Sequence, residues 1–190
     1  MDYTALSLAE VTRALDDVTR DARDTFGRLD AAQLNWRPDS TAWSVAQCFE
    51  HLLTANRLMA TAARDALSRP PGLWQRVPGL PGFFGRVLVQ SQSPQTTRKA
   101  RTSAKATPSA SAIAADVIER FVADHRQRSD WIRSLDPETA ARTIMLSPFI
   151  SIITYGVLDG CRLMAAHDRR HFEQARRVTE SAGFPPASAA

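Results

Sequence analysis

Residues 153–174 read ITYGVLDGCRLMAAHDRRHFEQ and predict one long amphipathic helix. Its apolar or small residues recur at steps of three and four, at Ile153, Val157, Gly160 and Met164. The same step leads to His167, and His171 follows one turn later, so both imidazoles project from the apolar stripe. Because two imidazoles at this spacing can chelate one metal ion, the stretch predicts a helix of a bundle core and a candidate metal site within it.

The same periodicity occurs in three earlier stretches of the chain. Together they predict four helices with these approximate bounds: 4–29, 45–69, 109–135 and 151–181. Ser44 is placed to cap the second helix, and Ser151 or Thr154 opens the fourth, which Gly183 followed by Pro185 would end. Four amphipathic helices in 190 residues predict an all-α protein, a single four-helix-bundle domain that spans the whole chain.

The connection between the second and third helices, residues 70–108, is too long for a plain bundle loop. Its apolar residues are numerous enough to pack a short helix or flap onto the bundle, and long connections of this kind often act as lids. A basic cluster lies in its second half, at Arg98, Lys99, Arg101 and Lys105. Because no aromatic residues interleave these charges, we interpret the cluster as a solvated loop and do not expect nucleic-acid binding. The tail at 186–190 is predicted to fray.

The composition is that of an ordinary globular protein, with 44% apolar residues, 23% charged residues and a net charge of +4. No apolar segment approaches the roughly 20 residues that a membrane helix needs, and the N-terminus lacks the blocks of a signal peptide. We therefore expect a cytoplasmic protein that does not bind a membrane. The two cysteines, Cys48 and Cys161, lie in apolar helical stretches, which indicates buried, reduced thiols.

The remaining histidines are His51 and His125. His51 lies at the edge of the predicted buried stripe of the second helix, so it can approach His167 and His171 if the two helices are neighbours. His125 extends the apolar stripe of the third helix, where a packing or supporting role is favoured over ligation. Spacing alone leaves a second interpretation open, in which each histidine is an ordinary core residue or a surface residue beside an acidic neighbour.

Short motifs surround these histidines. Residues 34–38 (LNWRP), 42–47 (AWSVAQ) and 50–52 (EHL) lead into the second predicted helix, and residues 167–174 (HDRRHFEQ) lie in the fourth. In combination they resemble the W-x-P, W-S-x-x-[EQ], H-L and H-x-x-x-H-x-x-Q motifs of the DinB-like superfamily, the damage-inducible proteins that fold as metal-binding four-helix bundles. The similar segments span almost the whole chain.

The resemblance implies a metal site of three histidines, with His51 from the second helix and His167 and His171 from the fourth. It also implies homodimers, and activities that include thiol-dependent transferases and isomerases alongside many proteins of unknown activity. Three imidazoles suit zinc, nickel, iron or cobalt better than calcium or magnesium. We expect zinc or nickel, with iron as a further candidate. An ion with only three protein ligands keeps an open position that can activate water or a thiol.

Several neighbours of these histidines are candidates for supporting roles. By spacing, Gln47, Asp168 and Gln174 can hold the free ring nitrogens of the ligands. Cys48 can add a thiolate ligand or be an inert buried thiol. Gly160 can leave room for a substrate or allow close helix packing, of which packing is the favoured interpretation.

Two functions from different classes fit these features. The first is a metal-dependent enzyme that acts on a small molecule, either by transfer of a low-molecular-weight thiol or by hydrolysis. The second is a non-catalytic metal-binding bundle that dimerises or binds a partner. DNA binding is a third hypothesis, which draws only on the name of the similar family and on the basic cluster.

Overall fold

The computed structural model describes residues 1–69, 80–94 and 102–187, and these form an all-α protein. Its regular elements follow in chain order: α1 Leu8–Phe26, α2 Ala31–Asn35, α3 Val45–Ser68, α4 Leu80–Ser91, α5 Val117–Arg133, α6 Pro137–Arg142, β1 Ile144–Leu146, β2 Thr154–Gly156 and α7 Val157–Thr179. Short 3₁₀ turns occur at Tyr3–Ala5 and Ala104–Ala106. The four long helices α1, α3, α5 and α7 form the bundle, as the apolar periodicity predicts.

The closest helix pairs of the bundle run antiparallel. In the pair of α3 and α7, His51 lies beside His167, while Met59, further along α3, accepts a hydrogen bond from the Tyr155 hydroxyl just before α7 begins. In the pair of α1 and α5, Asp16 pairs with Arg133 at the end of α5, while Thr19, further along α1, contacts His125, which lies earlier in α5. The three histidines predicted to bind a metal therefore lie on facing helices.

By contrast, α3 and α5 run in the same direction. Phe49 packs edge-on against Phe121, with ring centroids 4.8 Å apart. Further along both helices, Asn56 and His125 contact the same carboxylate, that of Asp168. After the 24 residues of α3 the chain must therefore travel back about 36 Å before α5 can begin. This return requires a long connection, which contains α4, the predicted short helix. Residues 70–79 and 95–101 of that connection, including Arg98, Lys99 and Arg101, lie outside the described residues.

The third helix begins at Val117, so the predicted start near residue 109 is wrong. Side-chain hydrogen bonds explain the difference. The Asn35 amide accepts from the Ile113 N–H at 2.8 Å and donates to the Ile113 carbonyl at 2.9 Å. These bonds occupy backbone groups that a helix would use, yet Ile113 still buries its side chain in the core.

The fourth helix begins at Val157, so neither Ser151 nor Thr154 opens it. Thr154 instead lies in β2, which pairs antiparallel with β1 in a small hairpin. The first helix begins at Leu8, after the Tyr3–Ala5 turn, because Ser7 and Glu10 form a reciprocal capping box. Each of the four predicted helices therefore exists, and the largest differences concern the first residues of the first, third and fourth.

The core has two apolar clusters at opposite ends of the bundle. The hairpin-end cluster combines the start of α1, the end of α3 and the start of α7, with Tyr155 and Met145. The far-end cluster combines the opposite halves of these helices with the start of α5, including Phe26, Phe49 and Phe121. Buried polar residues lie between the two clusters. Among the helices within the described ranges, none is long and apolar enough to cross a membrane.

Candidate metal centre

Three histidines converge between α3 and α7. His51 from α3 meets His167 and His171 from α7, and the candidate ligand nitrogens all lie within 4.8 Å of one another. The ring centroids are 4.5 to 5.0 Å apart. No other histidine, cysteine or carboxylate belongs to this group within the described residues. The pair predicted by spacing on one helix is thus completed by the histidine that the resemblance adds from another.

The start of α3 is fixed just before the site. Ser44 accepts a hydrogen bond from the Gln47 N–H, and the Gln47 side chain accepts one from the Ser44 N–H, both at 3.1 Å. This capping box sets the first turn of α3, and His51 follows about two turns from the cap. His51 consequently faces α7 rather than solvent, with 5% of its surface exposed.

A backbone carbonyl determines which nitrogen of His51 is free. His51 Nδ1 lies 2.6 Å from the carbonyl oxygen of Ala106. Because a carbonyl can only accept, Nδ1 carries the proton and donates it, which leaves a lone pair on Nε2 of the neutral ring. That Nε2 lies 3.1 Å from Nε2 of His167. His51 is therefore in the tautomer that a metal ion requires, with its lone pair directed toward the group.

The carbonyl of Ala106 belongs to a segment between α4 and α5, which we call the strap, residues 102–113. Gln47 donates to the Ser109 carbonyl at 2.9 Å, and Glu50 accepts from the Ser109 N–H at 2.5 Å. Asn35 holds the far end of the strap at Ile113. The strap thus lies along α3 and keeps its carbonyl at the His51 ring. Gln47, predicted to hold a ligand ring directly, acts on the strap instead.

Desolvation keeps all three imidazoles neutral near pH 7, with His51 buried and His167 and His171 partly buried. Desolvation lowers the pKa of His167 well below its ordinary value, and the neighbouring His171 and His51 lower it further. Desolvation, followed by His51 and Arg170, lowers the pKa of His171 to about 3, while Asp168 and then Gln174 act in the opposite sense. Desolvation also lowers the pKa of His51. Neutral imidazole is the form that binds metals, so protons do not compete for these ligands near pH 7.

Trp43 forms an aromatic wall beside the site. Its ring stacks on His171 with centroids 5.7 Å apart and lies 5.1 Å from the His51 ring. Trp36, by contrast, packs edge-on against Phe184 at 5.6 Å, away from the histidines. Trp43 limits the orientations of two of the three rings.

The residues present fit a bound transition-metal ion. The donor set is three nitrogens of borderline softness, which suits zinc, nickel, cobalt or iron. In addition, Nδ1 of His171 is buried and has no hydrogen-bond partner among the described residues. Buried ring nitrogens are normally paired, so this unpaired atom is consistent with a ring whose polar contacts a ligand would complete.

The other predicted supporting residues lie elsewhere. Asp168 contacts His125 and Asn56 rather than a metal-site histidine. Cys48 is buried in the far-end cluster, where desolvation raises the pKa of its thiol to about 12. A side chain on Gly160 would come within 2.8 Å of Met145 Sδ, so this glycine allows close packing and leaves no room for a substrate.

Two contributors to the site were not predicted. The Ala106 carbonyl is a backbone group, which no side-chain pattern can indicate. Asn56 lies one residue beyond the apolar stripe position Ala55 and is 1% exposed. A buried polar residue in a core helix is a detectable signal, and it marks the contact to Asp168.

A search with protein-family models matches residues 14–175 to the DinB superfamily. The chain belongs to the DinB superfamily. The match includes all three histidines and covers most of the bundle. Searches of curated proteins and of solved structures returned no significant match. The DinB assignment therefore supports the fold and the association with a metal, but it does not identify a substrate.

The metal-free DinB protein is expected to lose stability as the pH falls below about 6.5, the ordinary histidine value. Above that pH neither state binds these protons. Below it the unfolded chain binds a proton at His171, whereas the folded chain does not, because its His171 pKa is about 3. The free energy of unfolding therefore decreases as the pH falls through this window. Thermal unfolding followed by circular dichroism at several pH values measures the slope.

The matched variant for this pH experiment is His171→Leu, which removes one of the histidines whose pKa is lowered in the folded state. Its stability should fall less steeply over the same pH range than that of the wild type. Equal slopes for the two proteins would show that His171 titrates normally in the folded state.

Proposed function

We propose that this DinB protein binds one divalent transition-metal ion through His51, His167 and His171 and is a metal-dependent enzyme acting on a small molecule. The observation that carries the proposal is the group of three neutral imidazoles with all ligand nitrogens within 4.8 Å. When bound, an ion with three protein ligands supplies an open coordination position at which the pKa of water or of a thiol is lowered.

The chain's own cysteines do not supply a nucleophile. Cys48 and Cys161 are both buried, and desolvation raises the pKa of each thiol to about 12. They also lie in different apolar clusters. A thiol nucleophile must therefore come from a small co-substrate, and the alternative nucleophile is water. We favour transfer of a low-molecular-weight thiol, with metal-assisted hydrolysis as the other reaction of this class.

The protein residues around the site bind and orient. The Ala106 carbonyl holds the His51 proton on Nδ1, and Trp43 restricts the rings of His51 and His171. The hairpin-end and far-end clusters exclude water on either side of the buried polar residues that lie between them. The chain therefore supplies the metal ligands and the residues that orient them, and the nucleophile is a bound thiol or water rather than a side chain of the protein.

The test of metal binding uses protein prepared without a histidine tag. Metal analysis by mass spectrometry is expected to show about one equivalent of a divalent transition-metal ion, as one three-histidine group implies. A panel of low-molecular-weight thiols, each paired with an electrophilic acceptor, then tests turnover, and ester substrates without added thiol test hydrolysis. Metal-loaded protein that turns over neither set would contradict the enzymatic proposal and leave the binding proposal standing.

A second candidate function is a non-catalytic metal-stabilised bundle that pairs with another copy. One observation favours it: α4 presents a row of exposed apolar side chains, with Phe83 62% exposed and Leu80 and Val87 on the same face. Ile152, in the hairpin loop, is 88% exposed. Apolar exposure of this kind often marks an interaction surface.

If α4 mediates pairing, Phe83→Asp is expected to convert a dimer to a monomer in sedimentation velocity experiments. The substitution places a charge at the most exposed position of the apolar row, where a partner would have to desolvate it. Asp65→Asn, a charge change on the exposed surface of α3, is the control and should not alter the sedimentation coefficient. A monomeric wild type would contradict this second function.

A further inference from the structure

A layer of polar side chains crosses the core between the two apolar clusters. We call it the polar layer, and its members are Thr19, Asn56, His125, Arg128, Ser129 and Asp168. Burying polar groups costs free energy, and well-packed apolar residues at such positions are often as stabilising. The folding of a bundle therefore does not require this layer, which suggests that it serves the adjacent site.

Asp168 is the centre of the polar layer. Its Oδ1 accepts a hydrogen bond from Asn56 Nδ2 at 2.7 Å, and its Oδ2 lies 2.5 Å from His125 Nε2. Arg128 Nη1 lies 3.5 Å from the same Oδ2. The Asp168 side chain is fully buried. One carboxylate on α7 is thus held by α3 on one side and by α5 on the other.

The contact between Asn56 and Asp168 joins the same two helices as the metal site. Asn56 follows His51 by five residues on α3, and Asp168 directly follows His167 on α7. Successive residues of a helix point about 100° apart. With Asp168 directed to Asn56 and His125, the preceding His167 is directed to His51 on α3. The rotation of α7 about its axis is therefore coupled to the direction of the His167 ring.

Apolar packing alone would restrict this rotation less. Apolar contacts are non-directional, whereas a hydrogen bond weakens steeply when its angle changes. The His125 ring is itself held in place on its other side, because its Nδ1 lies 2.6 Å from Thr19 Oγ1 on α1. Both ring nitrogens of His125 are therefore in contact with polar atoms, and all four bundle helices contribute to the layer.

We propose that Asp168 is a positioning residue for the metal site: by binding Asn56 of α3 and His125 of α5, it fixes the rotation of α7 at which the three imidazoles converge. This inference rests on the proposed metal binding. Asp168 touches no ligand ring by hydrogen bond, so its effect passes through the helix that it shares with His167 and His171.

The experiment compares two single variants of the full chain. Asn56→Leu removes the contact between α3 and α7 at similar volume. Thr19→Val, the matched control, removes a contact of the same layer that joins α1 to α5. The measurements are the Zn²⁺ affinity by chelator competition, the visible absorption spectrum of the Co²⁺-loaded protein, which reports coordination geometry, and the unfolding temperature of the metal-free protein.

Asn56→Leu is expected to weaken Zn²⁺ binding by roughly 10- to 100-fold, the range known for residues that orient metal ligands, and to change the Co²⁺ spectrum. Thr19→Val should lower the unfolding temperature and leave the affinity and the spectrum as in the wild type. If both variants only lose stability, the positioning role is wrong. If Asn56→Leu does not fold, Asn56→Ala replaces it. A weaker Zn²⁺ affinity with a changed Co²⁺ spectrum would then support the positioning role, and a loss of stability alone would contradict it.

Failure of the proposed function remains distinguishable. If the wild type binds neither Zn²⁺ nor Co²⁺, the metal proposal fails, and the positioning role is decided on the metal-free protein by long-range proton–nitrogen NMR spectra of the histidine rings. Changed ring nitrogen shifts of His51 and His167 in Asn56→Leu, but not in Thr19→Val, would support it. Unchanged shifts in both variants would overturn it.

Discussion

His167→Ala is expected to weaken Zn²⁺ binding by more than 100-fold, beyond the roughly 10- to 100-fold range known for residues that only orient ligands. His167 lies at the meeting point of the site, since its Nε2 is 3.1 Å from that of His51 and its ring is 4.5 Å from that of His171. Its removal leaves two nitrogens, too few to hold a divalent ion against competing chelators. Isothermal titration of untagged protein measures the loss.

Two controls separate ligation from damage to the fold. Trp36→Phe changes a tryptophan that packs against Phe184, away from the histidines, so its affinity should stay close to that of the wild type. The metal-free His167→Ala protein should unfold at a temperature close to that of metal-free wild type, because His167 is only partly buried and its hydrogen-bond partner is another imidazole. Unchanged Zn²⁺ affinity in His167→Ala would show that His167 is not a ligand.

The part of this site on a single helix could be predicted from spacing. His167 and His171 are four residues apart in a long periodic stretch, and α7 exists where that stretch predicts it. His51 is different, because no spacing rule relates residues on two helices whose packing is unknown. Its place in the group follows from the motif resemblance, and the geometry of the three rings agrees with it.

Helix boundaries could be predicted less well, for a specific physical reason. Apolar periodicity reports which side chains are buried, and Ile113 is buried as predicted even though it precedes α5. What keeps it out of the helix is the bidentate contact of the Asn35 amide with its backbone, a contact across 78 positions of the sequence. The hairpin of β1 and β2 could not be predicted, because strands of three residues are too short to show an alternating pattern of apolar and polar residues.

Supporting residues were harder to assign than ligands. Asp168 adjoins His167 in sequence, and a position beside a ligand suggests contact with it, yet the helix turns the carboxylate about 100° away into the core. Gln47 contacts the strap, and the strap carbonyl contacts His51. Both cases involve a residue that acts through another group, which cannot be inferred from neighbourhood along the chain.

The largest loss of fold stability is expected for Asp168→Ala. This carboxylate is fully buried beside Arg128, itself 4% exposed, and it faces both His125 and Asn56. Removing one partner of a buried charged pair costs about 3–5 kcal/mol, because the remaining charge loses its compensation. For a chain of this length such a loss lowers the unfolding temperature by on the order of 10 °C. Chemical denaturation of the metal-free protein at neutral pH measures the free energy directly.

The control for that measurement is Asp16→Ala, which removes the carboxylate of an exposed pair with Arg133, each side chain 48% exposed. Water and salt screen such a pair, so its loss should cost less than about 1 kcal/mol. Equal costs for the two substitutions would show that Arg128 is compensated without Asp168, through its contact with Asp124. A clearly larger cost for Asp168→Ala than for Asp16→Ala, the expected result, would show that the Asp168 carboxylate compensates the buried charge of Arg128, which a solvent-exposed partner does not do for Arg133.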